Sequence, residues 1–137
     1  MKKYALILAV TTIFLNGCAT SPVSDIDSRN TTSSINEKFL KKEKNSSQLI
    51  IKRDSGFMGS ACSYKVLINN EYVVSLNGGE KVTLFLTSGN YIITTTANGI
   101  CGGGVASVET VLSPNKNKSY RISSGQDGTI QIQPSSF

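Results

Sequence analysis

The first candidates for chemistry in this chain are its acids and its three cysteines, and its 137 residues include no histidine. The missing imidazole excludes Ser-His-Asp and Cys-His nucleophiles and also histidine-containing metal sites. A zinc site built on two cysteine thiolates would need two further ligands and reduced thiols, and the absence of histidine argues against it. The sequence therefore predicts no catalytic residue, no metal and no bound cofactor.

The acids of residues 48–137 do not form a recognisable catalytic pattern. Enzymes that cleave sugars need two carboxylates that face each other at a set separation. Here each acid falls at a predicted strand end, in a turn or on the polar side of a strand, so we expect solvent-exposed surface charge at all five: Asp54, Glu71, Glu80, Glu109 and Asp127. This pattern favours a protein that is not an enzyme.

Two loops contain unusual residues. The segment Gly-Ile-Cys-Gly-Gly-Gly at 99–104 lacks the Gly-Lys-Ser/Thr ending of a phosphate-binding loop and leads into a predicted strand. We therefore expect its glycines to permit a tight turn. The segment 54–62 places Phe57 and Met58 among small residues. Apolar side chains in a loop either plug the core or contact a partner, so Phe57 and Met58 are the candidate partner-binding residues.

The first 18 residues are built like a secretory signal. Lys2 and Lys3 form a basic start, residues 5–15 are mostly apolar, and Gly17 precedes Cys18. The apolar run is shorter than the roughly 20 residues that a membrane span needs. Leu15-Asn16-Gly17-Cys18 resembles the lipobox of bacterial lipoproteins. The resemblance implies removal of residues 1–17 and attachment of fatty acyl chains, such as palmitate, to Cys18.

The same resemblance implies a location. In lipoproteins an aspartate after the lipidated cysteine marks retention in the inner membrane, whereas this chain has Ala19. We therefore expect an anchor in the outer membrane of the bacterial cell envelope, facing the periplasm. The covalent lipid would be its only added group, and the membrane its first partner.

Lipidation of Cys18 leaves Cys62 and Cys101, which have only one intramolecular pairing. Because export places them in an oxidising compartment, we expect a disulfide between them, with two free buried thiols as the alternative. Closing a loop of about 40 residues would stabilise the fold by about 4 kcal/mol. The bond would also join the 54–62 loop to the 98–104 loop and stiffen the surface that presents Phe57 and Met58.

Residues 18–47 are rich in polar and charged side chains and predict a flexible tether. A short helix over 34–44, begun by a Ser34/Glu37 capping box, would either dock on the domain or lie on the membrane. The nearby cluster of Lys41, Lys42 and Lys44 is expected to be a solvated face near the anchor, with weak attraction to anionic lipid as the alternative. Loss of Lys2 and Lys3 lowers the net charge from +5 to +3, which is too slight to indicate nucleic-acid binding.

Residues 48–137 show strand periodicity throughout. Seven to eight short alternating segments are separated by turn signals such as Asn69-Asn70 and Gly125, with no helical period between them. This pattern predicts an all-β domain, a small antiparallel β-sandwich, with a small β-barrel as the alternative.

The stretch from Tyr64 to Leu76, then Gly79, then Leu86-Thr-Ser-Gly-Asn-Tyr91, is similar to small β-sandwich modules of bacterial surface proteins and lipoproteins. PEGA-type domains and DUF2846-like prokaryotic lipoproteins share its strand–turn–strand pattern and its Gly-x-Tyr turn. The resemblance implies a fold and a role in the envelope.

Two functions follow from these observations. The first is a non-catalytic binding or structural module of the envelope, whose partner is another envelope protein or peptidoglycan. The second is a lipoprotein inhibitor that inserts the Phe57–Met58 loop into a hydrolase such as a lysozyme.

Overall fold

The computed structural model describes residues 20–57, 59–98 and 101–136. The signal segment, Cys18 and Met58 lie outside these residues. Within them the chain forms nine strands: β1 Arg29–Asn30, β2 Ser47–Arg53, β3 Tyr64–Ile68, β4 Glu71–Leu76, β5 Glu80–Leu86, β6 Gly89–Ala97, β7 Val105–Leu112, β8 Lys118–Ser124 and β9 Ile130–Pro134. Eight of them match the alternating segments of the sequence, and β1 is an additional strand.

The strands form two sheets that pack face to face. The order of the larger sheet is β1-β5-β2-β8-β9, and that of the smaller is β4-β3-β6-β7. The predicted all-β sandwich is confirmed, and the described strands do not close into a barrel. The larger sheet differs from the expectation in being mixed, because β2 pairs in parallel with β8 and β1 with β5. Tight hairpins impose antiparallel pairing, but neither of these pairs is joined by a hairpin.

Alternate residues of both sheets meet in a dry core. Leu49 and Ile51 of β2 face Val66 of β3 and Ile93 of β6, and none of the four is exposed to solvent. Burial of each such side chain contributes about 1.5–3 kcal/mol. Successive side chains of a strand point to opposite faces, so the alternation that marks the strands in the sequence also selects the residues of the core.

The β3–β4 hairpin turns at Asn69 and Asn70, which have φ of 48° and 66°. Positive φ at both central positions is the requirement of a type I′ turn, which matches the twist of the strands that it joins. The turn signal in the sequence is therefore confirmed.

Residues 20–46, here named the strap, lie along the sandwich where the sequence predicted a flexible tether. Ser21 and Ser55 exchange backbone hydrogen bonds of 2.7 and 3.1 Å. Further along, the backbone amide of Thr31 donates to Lys81 (2.9 Å) and that of Asn36 to Val73 (2.9 Å). The strap thus bonds to both β5 and β4 and covers the seam between the two sheets.

The predicted helix over 34–44 is reduced to one 3-10 turn, Glu37–Phe39. The cap is Asn36, whose side chain accepts from the amide of Lys38 at 3.2 Å, instead of Ser34. Phe39 is buried in the core while Leu40 is 41% exposed, so Phe39 is the apolar anchor of the turn. Of the two alternatives for this segment, the structure has it docked on the domain.

Candidate functional site

A disulfide joins Cys62 to Cys101 at one end of the sandwich, with the two Cα atoms 6.2 Å apart. Cys62 is buried and Cys101 lies on the surface. The glycines that follow Cys101 adopt left-handed backbone, with φ of 52° at Gly102 and 76° at Gly104. They therefore serve the turn, as expected from the sequence. We name this region, where β2 ends and β3 begins, the disulfide end.

Arg53 is the buried centre of the disulfide end, with only 3% of its surface exposed. Its guanidinium donates to the carbonyl oxygens of Leu76 (3.0 Å), Gly59 (2.6 Å) and Cys62. The Tyr64 ring lies 3.7 Å from its central carbon. Burial lowers the pKa of Arg53, and the nearby Tyr64 and Glu80 partly oppose that effect. The arginine therefore holds the 54–62 loop against the sandwich.

Phe57 projects from this loop with 89% of its surface exposed. The sequence left two roles open, a core plug and a contact residue, and the structure places Phe57 outside the core. Met58 lies outside the described residues. Phe57 is thus an exposed aromatic side chain on a loop that Arg53 and the disulfide hold at Gly59 and Cys62.

The expectation that all five acids of residues 48–137 are solvated is wrong for Asp54 and Glu80, which are 2% and 5% exposed. Asp54 accepts a two-pronged interaction from Arg121, at 3.1 Å from Nε and also from Nη2. Glu80 accepts from the backbone amide of Asn77 at 2.8 Å. Both carboxylates are satisfied within the fold, which is how buried charge is normally tolerated.

Lys52 is also buried, at 1% exposed, although it points away from the core. The strap covers it, and its ammonium lies 2.8 Å from Oδ1 of Asp25. The strap therefore provides a carboxylate where it crosses the outer face of the larger sheet. Sequence reasoning missed this pair because its members are far apart in the chain and Asp25 lies in a segment without periodicity.

The opposite end of the sandwich contains a groove of about 360 Å³. Its floor is apolar and its rim is charged, with Lys38, Lys41, Glu43 and Glu71 around Phe39, Ile68, Phe85, Leu86 and Tyr91. We name it the strap groove, because the end of the strap forms one wall. A second cavity of about 670 Å³ shares Asn69 and Tyr91 with it and extends over Ile92 and Val111.

Lys38 and Glu71 face each other on the rim of the strap groove, with Nζ and Oε2 2.5 Å apart. The hydrogen bond from Lys38 lowers the pKa of Glu71. In the β8–β9 turn, hydrogen bonds from Thr129 lower the pKa of Asp127. Asp127 is exposed as the sequence predicted, and Glu71 is partly exposed, unlike the buried Asp54 and Glu80.

The lysine cluster 41–44 lies beside the strap groove, whereas the sequence placed it near the anchor. The strap runs parallel to β5 from the disulfide end, so its last residues reach the far end of the sandwich. There the Lys42 ammonium lies 5.9 Å from the centre of the Phe85 ring. The three lysines are exposed, as expected for a solvated face. Because the strap is extended, they lie at the other end of the sandwich from Thr20, where the described chain begins.

Among the residues that the structure describes, no helix has the length and apolar character of a membrane span. The same residues contain no group of three or more acid or cysteine side chains arranged to hold a metal ion.

Comparison with known proteins adds no relative to this description. No family model, no characterised protein and no solved structure matches the chain significantly.

Proposed function

We propose that this chain is a lipid-anchored lipoprotein of the bacterial envelope, attached through Cys18, that presents a non-catalytic binding module. The observation that carries the proposal is the separation of the two ends of the sandwich. The described chain begins at the disulfide end, where the Thr20 hydroxyl bonds to Ser124 at 3.2 Å. The strap groove opens at the other end.

The distance between the two ends determines which of them an anchor at Cys18 would hold beside the membrane. Strand β2 has seven residues and runs from the groove end to the disulfide end, so it spans about 20 Å. An anchor two residues before Thr20 would keep the disulfide end beside the membrane. The strap groove would then face away from the lipid surface, toward partners in the periplasm.

The composition of the strap groove suits a partner with both apolar and acidic groups. Phe39 and Phe85 provide apolar contact area, while Lys38 and Lys41 provide ammonium groups at the rim. An envelope protein or the carboxylate-bearing peptides of peptidoglycan would satisfy both. No nucleic acid is proposed, since Glu43 and Glu71 share the rim.

A binding role without catalysis also agrees with the contacts of the two buried acids. Asp54 and Glu80 are engaged by Arg121 and by the Asn77 amide, so their oxygens are occupied within the fold. A general acid or base needs access to the proton that it transfers. We therefore propose that the protein is not an enzyme and works without a metal or cofactor.

The second candidate is inhibition of a hydrolase such as a lysozyme by the loop that contains Phe57. The observation that favours it is the 89% exposure of this side chain on a fixed loop. Rigid exposed aromatic residues make good interface anchors, because little conformational entropy is lost on binding.

The anchor is tested by metabolic labelling with a fatty acid, in cells that express the natural chain or its Cys18→Ser variant. We expect label on the natural chain only, and recovery of that chain in the outer-membrane fraction. Label on the Cys18→Ser variant would disprove the attachment site. Recovery in the inner-membrane fraction would contradict the proposed location.

The binding surface is tested by capture of envelope components on the mature protein and on three variants. We expect Lys41→Glu to lose the main partner, while Phe57→Ala retains it. Lys65→Glu is the matched control, since it makes the same charge change on β3 outside the strap groove. Loss of a hydrolase from Phe57→Ala alone would instead support the inhibitor.

A further inference from the structure

We infer that the disulfide end is a membrane-seating surface, on which Phe57 contacts the lipid bilayer to which Cys18 is anchored. This inference rests on the proposed function and adds an orientation to it. The bilayer is the proposed occupant of the surface, and a protein partner at Phe57 is an outcome that would overturn it.

The first argument is that the chain leading to Cys18 leaves the described residues close to the loop that contains Phe57. Ser21 and Ser55 form an antiparallel bridge. In such a bridge the chain before one residue and the chain after the other leave in the same direction. The path toward Cys18 and the path toward Phe57 therefore leave the bridge side by side.

Covalent geometry limits how far apart the anchor and the aromatic ring can be. At no more than about 3.6 Å per residue, Cys18 lies within about 11 Å of Ser21, and Phe57 within about 7 Å of Ser55. The groove end, by contrast, is separated from this bridge by the whole of β2, about 20 Å. An anchored Cys18 brings the disulfide end to the lipid and leaves the groove end away from it.

The second argument is the character of the surface itself. Phe57 is 89% exposed, and on the neighbouring part of the strap Ile26 is 94% exposed. Asp25, next to Ile26, contacts Lys52, which is three residues before Ser55 on the same chain. Two of the most exposed large apolar side chains of the described residues are thus in the part of the molecule nearest the anchor.

The third argument is rigidity. The Ser21–Ser55 bridge holds the chain before Phe57, and Arg53 and the Cys62–Cys101 bond hold it after, at Gly59 and Cys62. A single anchored point leaves a domain free to rotate, whereas a second apolar contact with the interface selects one orientation. The lysine cluster lies at the other end, so the seating contact is apolar and should not depend on anionic lipid.

The experiment uses the absence of tryptophan from the chain. Phe57→Trp places a single fluorophore on the disulfide end, and Tyr72→Trp places one at the groove end as a matched control. Tyr72 is an aromatic side chain that is 45% exposed. Each lipidated mature variant, residues 18–137, is reconstituted into phosphatidylcholine vesicles with brominated acyl chains, which quench fluorescence on contact.

We expect Phe57→Trp to shift its emission to shorter wavelength and to lose most of its fluorescence in brominated vesicles. Tyr72→Trp should keep its fluorescence there and remain accessible to a quencher in the water. Replacing part of the lipid with phosphatidylglycerol, or adding salt, should leave both results unchanged.

Other outcomes separate the two proposals. Failure of the protein to float with the vesicles would overturn the anchor and, with it, the seating surface. Flotation with unquenched Phe57→Trp fluorescence would overturn the seating surface alone and leave the anchor standing. Equal quenching of both variants, or quenching that requires phosphatidylglycerol, would likewise contradict an apolar seat at this end.

Discussion

At the disulfide end Arg53 is buried and divides its guanidinium among three backbone carbonyls, whereas at the groove end Lys38 keeps 66% of its side chain exposed and faces one carboxylate. The first arrangement directs both Nη atoms to backbone carbonyls, two in the 54–62 loop and one at the end of β4. The second leaves donors in contact with water. The two ends of one sandwich thus use cationic side chains differently, the first for the fold and the second, as we propose, for contact with other molecules.

The difference teaches where function should be sought in a small β-sandwich. Charges that are buried and satisfied, as at Asp54 and Glu80, cannot leave their partners without a cost in folding free energy. Charges on the rim of the strap groove can exchange water for a ligand at little cost. Substitutions should therefore separate the two ends by the size of their effect on stability.

The largest effect is expected for Arg53→Ala. Loss of the guanidinium leaves three buried carbonyls without their donor, and should lower the free energy of unfolding by about 3–5 kcal/mol. Denaturant titration of the folded domain measures the change. Arg53→Lys is the matched variant, which keeps the charge and loses the planar guanidinium. Its free energy of unfolding should therefore lie between those of the natural protein and Arg53→Ala. An unchanged transition in Arg53→Ala would show that the loop does not depend on the arginine.

Removal of the disulfide should have the next largest effect. Cys62→Ala combined with Cys101→Ala should lower the free energy of unfolding by about 2–4 kcal/mol, since the unfolded chain regains the freedom that the bond removes. Thiol labelling of the natural protein should find neither cysteine reactive. Labelling of both in the native state would contradict the bond.

The ion pair under the strap should contribute less, because Asp25 is itself partly exposed. Asp25→Asn removes the carboxylate that faces Lys52 and should lower the free energy of unfolding by about 1–2 kcal/mol. Asp27→Asn is the control two residues away, on an exposed carboxylate bonded to Ser24, and should change it by less than about 0.5 kcal/mol. Equal effects of the two substitutions would show that burial of Lys52 does not depend on Asp25.

The rim pair predicts a small dependence on pH. Because Lys38 lowers the pKa of Glu71 in the folded state, the stabilisation is present above the ordinary glutamate pKa and is lost as the pH falls through the lowered one. The melting temperature of the natural protein should slightly exceed that of Glu71→Gln near neutral pH, and the two should converge in acid. A difference that grows in acid would contradict the pair.

The smallest effect on stability is expected for Phe57→Ala. The side chain is almost fully exposed, so the free energy of unfolding should change by less than about 0.5 kcal/mol. Thermal unfolding of the lipid-free protein measures it. A change as large as that of the disulfide variant would mean that Phe57 belongs to the core.

The sequence predicted the sandwich because a strand is marked by a local pattern of alternating apolar and polar residues. Alternation in segments such as Tyr64–Ile68, and a turn pair such as Asn69-Asn70, can be read without knowing what they contact. No local pattern in the sequence indicates that the strap is an ordered segment. Its hydrogen bonds to Lys81 and Val73 are long-range, and its own side chains show no period.

The candidate site was predictable only in part, for the same reason. Phe57 could be selected because an aromatic residue in a glycine-rich loop is unusual locally. The burial of Asp54 depends on Arg121, which is 67 residues away. The strap groove assembles residues from the strap, from the β3–β4 hairpin, from β5 and from the start of β6, so no single segment of the chain contains its pattern.

The parallel pairing of β2 with β8 has a consequence for the order of events during export. The central strand of the larger sheet cannot gain this neighbour until residues 118–124 are available, which is late in the emergence of the chain. Pairings between such distant segments form slowly. In a chain exported as we propose, this delay would keep the sandwich open during passage through the inner membrane. Completion of the fold would then wait for the compartment in which Cys62 and Cys101 can be oxidised.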